Sequence, residues 1–199
     1  MKVLVIPDVH LKPWMFDRAA ELLKDGAADR AVCLMDIPDD WRQEFNLDLY
    51  VQTFDAAIQF AKDFPETLWC YGNHDTCYPW NQRETGYSKI APWTVCEKLR
   101  KLQEALSDEK QLTFLYRIDN VLFCHGGLTD KFVRQYYGGK MYKPRKLLQV
   151  VGHTPMETIM KKGNLISCDV FSTYRDGKPI GTQEFLVLDT DNWDYKGIR

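Results

Sequence analysis

The chain has 199 residues, a net charge of −2, 45% apolar residues and 27% charged ones. That balance fits a soluble globular protein with one sizeable core, expected as a single domain over residues 1–199. It excludes a general electrostatic pull toward nucleic acid or membrane, and no apolar run is long enough to span a bilayer.

The six cysteines (Cys33, Cys70, Cys77, Cys96, Cys124, Cys168) show no close C-x-x-C spacing. They read as reduced thiols rather than a disulfide framework. The opening run Val3-Leu4-Val5-Ile6 reaches Pro7-Asp8 too soon to be a signal-peptide core. The expected location is therefore cytoplasmic.

Lys2–Ile6 is β-branched and apolar and reads as a central strand. It ends in Pro7-Asp8-Val9-His10. If the backbone stays extended there, Asp8 and His10 point the same way and reach one ion. Trp14–Lys24 has helical spacing and stops near Gly26. Ala31–Met35 is a second apolar run, ending in Asp36-Ile37-Pro38-Asp39-Asp40. Leu49–Phe64 reads as a helix with Asp48 as its cap. Thr67–Tyr71 is a third strand-like run, and it meets Gly72-Asn73-His74-Asp75. If extended backbone continues, the adjacent side chains of Asn73 and His74 point apart.

Thr76–Trp93 is an aromatic-rich irregular stretch, either a surface loop or a wall over the site. Thr94-Val95-Cys96-Glu97 reads as a capping box opening a helix to about Leu106. Thr113–Ile118 and Val121–Cys124 read as a hairpin turned by Asp119-Asn120, ending in His125-Gly126-Gly127. Thr129–Tyr137 reads as a helix. Leu147–Val151 ends in Gly152-His153-Thr154-Pro155, and Leu165–Cys168 and Phe185–Leu188 read as closing strands.

The chain has four histidines, and all four follow strand-like runs. In α/β sheets, ligands bind beyond the carboxyl ends of the strands. Asp8, His10, Asp36, Asn73, His125 and His153 offer carboxylate, imidazole and amide oxygen, with no cysteine expected at the strand ends. This donor set suits Mn, Fe, Zn, Co or Ni better than a thiolate structural site. Six donors exceed one closed tetrahedral zinc and suit two divalent ions that share a carboxylate.

In this order and spacing, Asp8-x-His10, Asp36-x-x-Asp39, Gly72-Asn73-His74-Asp75, Cys124-His125-Gly126-Gly127-Leu128 and Gly152-His153-Thr154-Pro155 resemble the five blocks of the calcineurin-like metallophosphoesterases. The last two look most like the phosphoprotein-phosphatase branch, which includes bacterial and phage serine/threonine phosphatases and symmetrical diadenosine-tetraphosphate hydrolases. The resemblance spans Val3 to about Asp189. It implies a four-layer α/β/β/α sandwich, with two mixed β-sheets flanked by helices. It implies two divalent ions, with manganese foremost. Asp8 and His10 would bind the first, Asp36 would bridge, and Asn73, His125 and His153 would bind the second. His74 would protonate the leaving oxygen, oriented by Asp39.

Two positions depart from the family pattern. Met35 stands where glycine usually precedes the bridging aspartate, and Asp40 stands where an arginine usually clamps the phosphate. At that place Asp40 would put a negative charge near the phosphate and disfavour a dianionic monoester relative to a monoanionic diester. Arg83, Arg134 or Arg145 are the candidate replacements. The implied reaction is hydrolysis of a phosphomonoester, including phosphoproteins, by direct attack of metal-bound water. The alternatives are a phosphodiester or dinucleoside polyphosphate, or a non-catalytic binding module on the same fold. The expected partner is a phosphorylated substrate, with no membrane, and nucleic acid only as a nucleotide substrate; the sequence does not indicate an oligomeric state.

Overall fold

The computed structural model describes residues 1–128 and 147–199. The strands are β1 (Lys2–Ile6), β2 (Arg30–Cys33), β3 (Leu68–Cys70), β4 (Leu112–Thr113), β5 (Leu115–Ile118), β6 (Val121–Cys124), β7 (Leu148–Val151), β8 (Met160–Lys162), β9 (Leu165–Ser167), β10 (Phe185–Asp189) and β11 (Tyr195–Ile198). The helices are α1 (Trp14–Lys24), α2 (Leu47–Asp63), α3 (Asn73–Cys77) and α4 (Pro92–Ala105).

Two mixed sheets form. One has the order β11-β10-β1-β2-β3-β4, the other β5-β6-β7-β9-β8. In the first, β1, β2, β3 and β4 run parallel, while β10 and β11 add antiparallel at one edge. The period-two alternation of β1 serves two cores. Leu4 and Ile6 face Phe16, Phe54, Phe60 and Trp69 beneath the helices. Val3 and Val5 face Phe123, Val150 and Ile166 of the second sheet. A strand buried on both faces explains the continuous apolar run. Helices thus flank two packed sheets, and β1, β2, β3, β6 and β7 all end toward one rim.

Several expectations require correction. α2 starts at Leu47, and its cap is Asn46, whose side chain accepts from Leu49 N. Asp48 lies in the first turn, where its charge meets the helix dipole. α4 opens at Pro92 with no side-chain cap, and Thr94 is buried inside it rather than capping it. Proline suits a first helical position because its missing N–H has no partner there anyway.

The run Thr113–Ile118 is not one strand. It breaks at Phe114, with β4 joining the first sheet and β5 the second. The Asp119-Asn120 turn forms as expected, with Asp119 at φ 53°. The helix expected over Thr129–Tyr137 lies outside the described residues. No helix among the described residues is long and apolar enough to cross a membrane.

Candidate metal centre and acid pair

The strand ends deliver two clusters of donors that share one residue. Donor atoms of Asp8, His10 and Asp36 lie within 4.8 Å of one another, as do those of Asp36, His125 and His153. Asn73 joins the second cluster. Its Oδ1 is 3.1 Å from His125 Nε2 and 2.8 Å from His153 Nδ1. His125 Nε2 is also 3.0 Å from Asp36 Oδ2.

The backbone makes these approaches possible. A Cβ on Gly72 would stand 1.9 Å from Asp36 Oδ1, and one on Gly152 would stand 1.9 Å from Asp8 Oδ2. Only glycine leaves room for each carboxylate. The chain also bends through left-handed conformations at His10 (φ 43°), Leu11 (56°), Met35 (55°), Asp36 (43°), Asp39 (65°) and His153 (64°). A side chain is disfavoured at such angles, and their clustering stores strain at this rim. Met35 is buried at the position where the family pattern has glycine, and it takes the angle glycine would take freely.

The extended-backbone arguments therefore fail, although Asp8 and His10 do meet. His10 reaches Asp8's cluster through a turn. Asn73 and His74 open α3, so helical geometry sends their side chains in different directions.

The imidazole tautomers follow from partners that can only accept. His125 Nδ1 donates to Leu34 O at 2.9 Å, and His10 Nδ1 donates to Asp39 O at 2.8 Å. In the neutral ring each then has Nε2 as the lone pair that a metal ion would take, the usual preparation of a metal-binding histidine. Asp75 accepts from Asp36 N, Ile37 N and Gly72 N, so it shapes the turn that presents Asp36.

The charged groups of the centre act strongly on one another. Burial alone would lower His125, but the carboxylates of Asp36 and Asp8 outweigh it and push the imidazole up to about 10. Burial opposes ionisation of Asp36 too, yet the facing imidazoles of His125, His10 and His74 hold it well below the usual carboxylate range. Burial, then the charge of Asp169, raises Asp8 well above that range. Asp8 Oδ2 is buried and has no hydrogen-bond partner among the described residues. An orphaned carboxylate oxygen, prepared lone pairs and a carboxylate common to both clusters fit divalent cations.

His74 Nδ1 lies 3.0 Å from Asp39 Oδ2. Burial would lower His74, but the bond to Asp39 and the charges of Asp36, Asp39 and Asp75 raise it above its ordinary value. Both residues line a cleft of about 360 Å3, together with His10, Asp36, Asn73 and His153. The Thr76–Trp93 stretch supplies part of its wall through Glu84, Thr85 and Gly86.

Asp40 neither lies unpaired beside the cleft nor points away into solvent. Its carboxylate pairs with Lys12 Nζ at 3.0 Å and accepts from the Thr173 hydroxyl. Lys12, Thr173 and Tyr50 went unnoticed in the sequence, and Tyr78 counted only among the aromatics of the Thr76–Trp93 stretch. Only Lys12, two residues past His10, carried a positional hint. Of the arginines proposed as substitutes, Arg83 is exposed and does not line the cleft, while Arg134 and Arg145 lie outside the described residues. Three strands end in cysteine, at Cys33 and Cys70, where the runs were expected to continue, and at Cys124, where the strand was expected to end. All three thiols are buried outside both donor clusters.

The family model for calcineurin-like phosphoesterases matches residues 1–180. This chain belongs to the calcineurin-like phosphoesterase family. It is a metal-dependent phosphoesterase, and the binding-module alternative is set aside. Solved structures share the fold. An archaeal phosphodiesterase is 16% identical, with a TM-score of 0.54 over 100% of this chain and 99% of the other. A cold-active protein tyrosine phosphatase is 17% identical, with a TM-score of 0.51 over 100% of this chain and 78% of the other. A metallophosphoesterase from Sphaerobacter thermophilus is 15% identical, with a TM-score of 0.50 over 100% of this chain and 88% of the other. Comparison with curated proteins gives no match.

Proposed function

We propose that this phosphoesterase works with a dinuclear centre and hydrolyses a phosphomonoester. The observation that carries the reading is the carboxylate of Asp36, which belongs to both donor clusters at once. Asp8 and His10 would hold one ion, Asn73, His125 and His153 the other, and Asp36 both. Manganese is the foremost candidate, with iron, zinc, cobalt or nickel chemically compatible with the same donors. When bound, such a pair supplies Lewis-acid activation of water and of the phosphoryl oxygens.

The chain's own residues do the rest. Asp39 accepts the Nδ1–H of His74, which leaves Nε2 to hold the proton that the leaving oxygen receives. In the metal-free chain, burial would lower His74, but the bond to Asp39 and the charges of Asp36, Asp39 and Asp75 raise it above its ordinary value, the direction an acid requires. Lys12 offsets the charge of Asp40, which removes the main objection that the sequence raised against a dianionic monoester.

A phosphodiester remains the second reading. Glu84 adds a carboxylate to the wall, and no arginine or lysine lines the cleft among the described residues. The test strips the protein with chelator, reloads it with each candidate metal, and assays an aryl monoester beside the matching diester. Activity that returns only on reloading, and is higher on the monoester, supports the proposal. Higher activity on the diester selects the second reading, and no turnover of either ester with any metal refutes both.

A further inference from the structure

Asp39 is held by more than His74. Tyr50, from α2, donates its hydroxyl to Asp39 Oδ1 at 2.7 Å. Tyr78, just past α3, donates to the same oxygen at 2.5 Å. Both tyrosines are buried, and neither lines the cleft. Burial, and then the charge of Asp39, push both phenols above their ordinary range, so each stays a donor. One carboxylate oxygen is thus occupied by two phenols, while the other takes His74 Nδ1. Asp39 also sits at φ 65°, an angle that a side chain adopts only under constraint.

Tyr78 is fixed in turn. Ser88 N donates to its hydroxyl oxygen at 3.0 Å, and the Tyr87 ring stacks on it at 4.5 Å. The segment between Tyr78 and Ser88 carries Glu84, Thr85 and Gly86 of the cleft wall. The same phenol therefore ties the wall to the carboxylate behind His74.

We infer that Tyr50 and Tyr78 are positioning residues for the acid. They pin Asp39 so that Oδ2 faces His74 and sets the direction of its other ring nitrogen. The inference rests on the reading of His74 as the acid and goes one residue further back. Neither tyrosine touches the reacting atoms, so each acts on turnover through the orientation of Asp39. Losing one donor from a polar network loosens the rest of it.

The experiment compares Tyr50→Phe, Tyr78→Phe and His74→Asn, each reloaded with Mn2+, on two monoesters. One has an acidic phenol as leaving group and the other an alkoxide. Each tyrosine variant is expected to lose roughly tenfold in kcat on the alkyl ester and less than about twofold on the phenyl one, at unchanged metal content. In the His74→Asn background, Tyr78→Phe is expected to bring no further loss, because the group it positions is gone. A leaving-group effect in His74→Asn that is missing from both tyrosine variants overturns this inference alone. So does an additional loss in the double variant, which marks a merely structural role. Equal losses on the two esters in His74→Asn overturn the acid reading, and the inference with it.

Discussion

Lys12 Nζ stands 3.0 Å from Asp40 Oδ2, so the acid next to Asp39 is matched by a cation at the cleft edge. Lys12 also donates to His10 O, which ties this pair to the left-handed turn bearing a candidate ligand. Both side chains are mostly buried, at 10% and 17% exposure, so the pair is shielded from bulk water. Removing one member leaves the other unbalanced.

Lys12→Met should therefore expose a substrate to the bare charge of Asp40. Like charges about 5 Å apart repel by about 3 kcal/mol at an effective dielectric of about 20, an upper figure where water enters. A monoester carries about one more negative charge than a diester near neutral pH, so its kcat/KM should fall further. Steady-state rates on an aryl monoester and the matching diester check this. Equal losses on both would mean the pair does not govern substrate charge.

Gly72→Ala should abolish binding of at least one ion while leaving the protein folded. Its Cβ would meet Asp36 Oδ1 at 1.9 Å, so the carboxylate must swing out of both donor clusters. Gly152→Ala presses on Asp8 Oδ2 in the same way. Metal content after reloading, read beside the far-ultraviolet circular dichroism, separates loss of the site from loss of the fold. Full metal content in both variants would count against these carboxylates as ligands.

The metal-free protein should lose stability as pH rises above neutrality. Asp36 and Asp8 raise His125 to about 10 in the folded chain, against about 6.5 for a free histidine. A raised folded value means that the protonated imidazole stabilises the fold fully below about pH 6.5. That contribution fades as pH climbs from there through about 10. Thermal melts of chelated protein at pH 7 and pH 10 should show the fall. Protein loaded with Mn2+ should show less of it, because His125 then binds as the neutral imidazole. Identical pH dependence with and without Mn2+ would place His125 outside the site.

Much of this was legible in the sequence, and the reasons differ by feature. β1 and α1 were readable to the residue because a β-branched run and an amphipathic period are local signals. The donors were readable because each follows an apolar strand. The backbone that aims them was not. His10 and Asp36 lie at positive φ, and the pattern of polar residues does not encode that angle. The break at Phe114 was hidden because both halves are strand-like, and only sheet packing decides which sheet takes each. β8 and β11 escaped because their residues are largely exposed, so no alternation of buried and exposed positions marks them. Asn46 outcompeted Asp48 as a cap within a stretch where both are suitable. Tyr50 and Tyr78 were unreadable as partners of Asp39, since buried tyrosines in a helix and a loop look like ordinary core.

The central claim is that Asp36 joins two metal sites. The direct measurement is metal stoichiometry after chelation and reloading with Mn2+, compared across the native chain, His153→Ala and Asp36→Asn. The account predicts about two ions per native chain, about one for His153→Ala and close to none for Asp36→Asn. A native chain that takes up no metal, or an Asp36→Asn variant that keeps both ions, would contradict it.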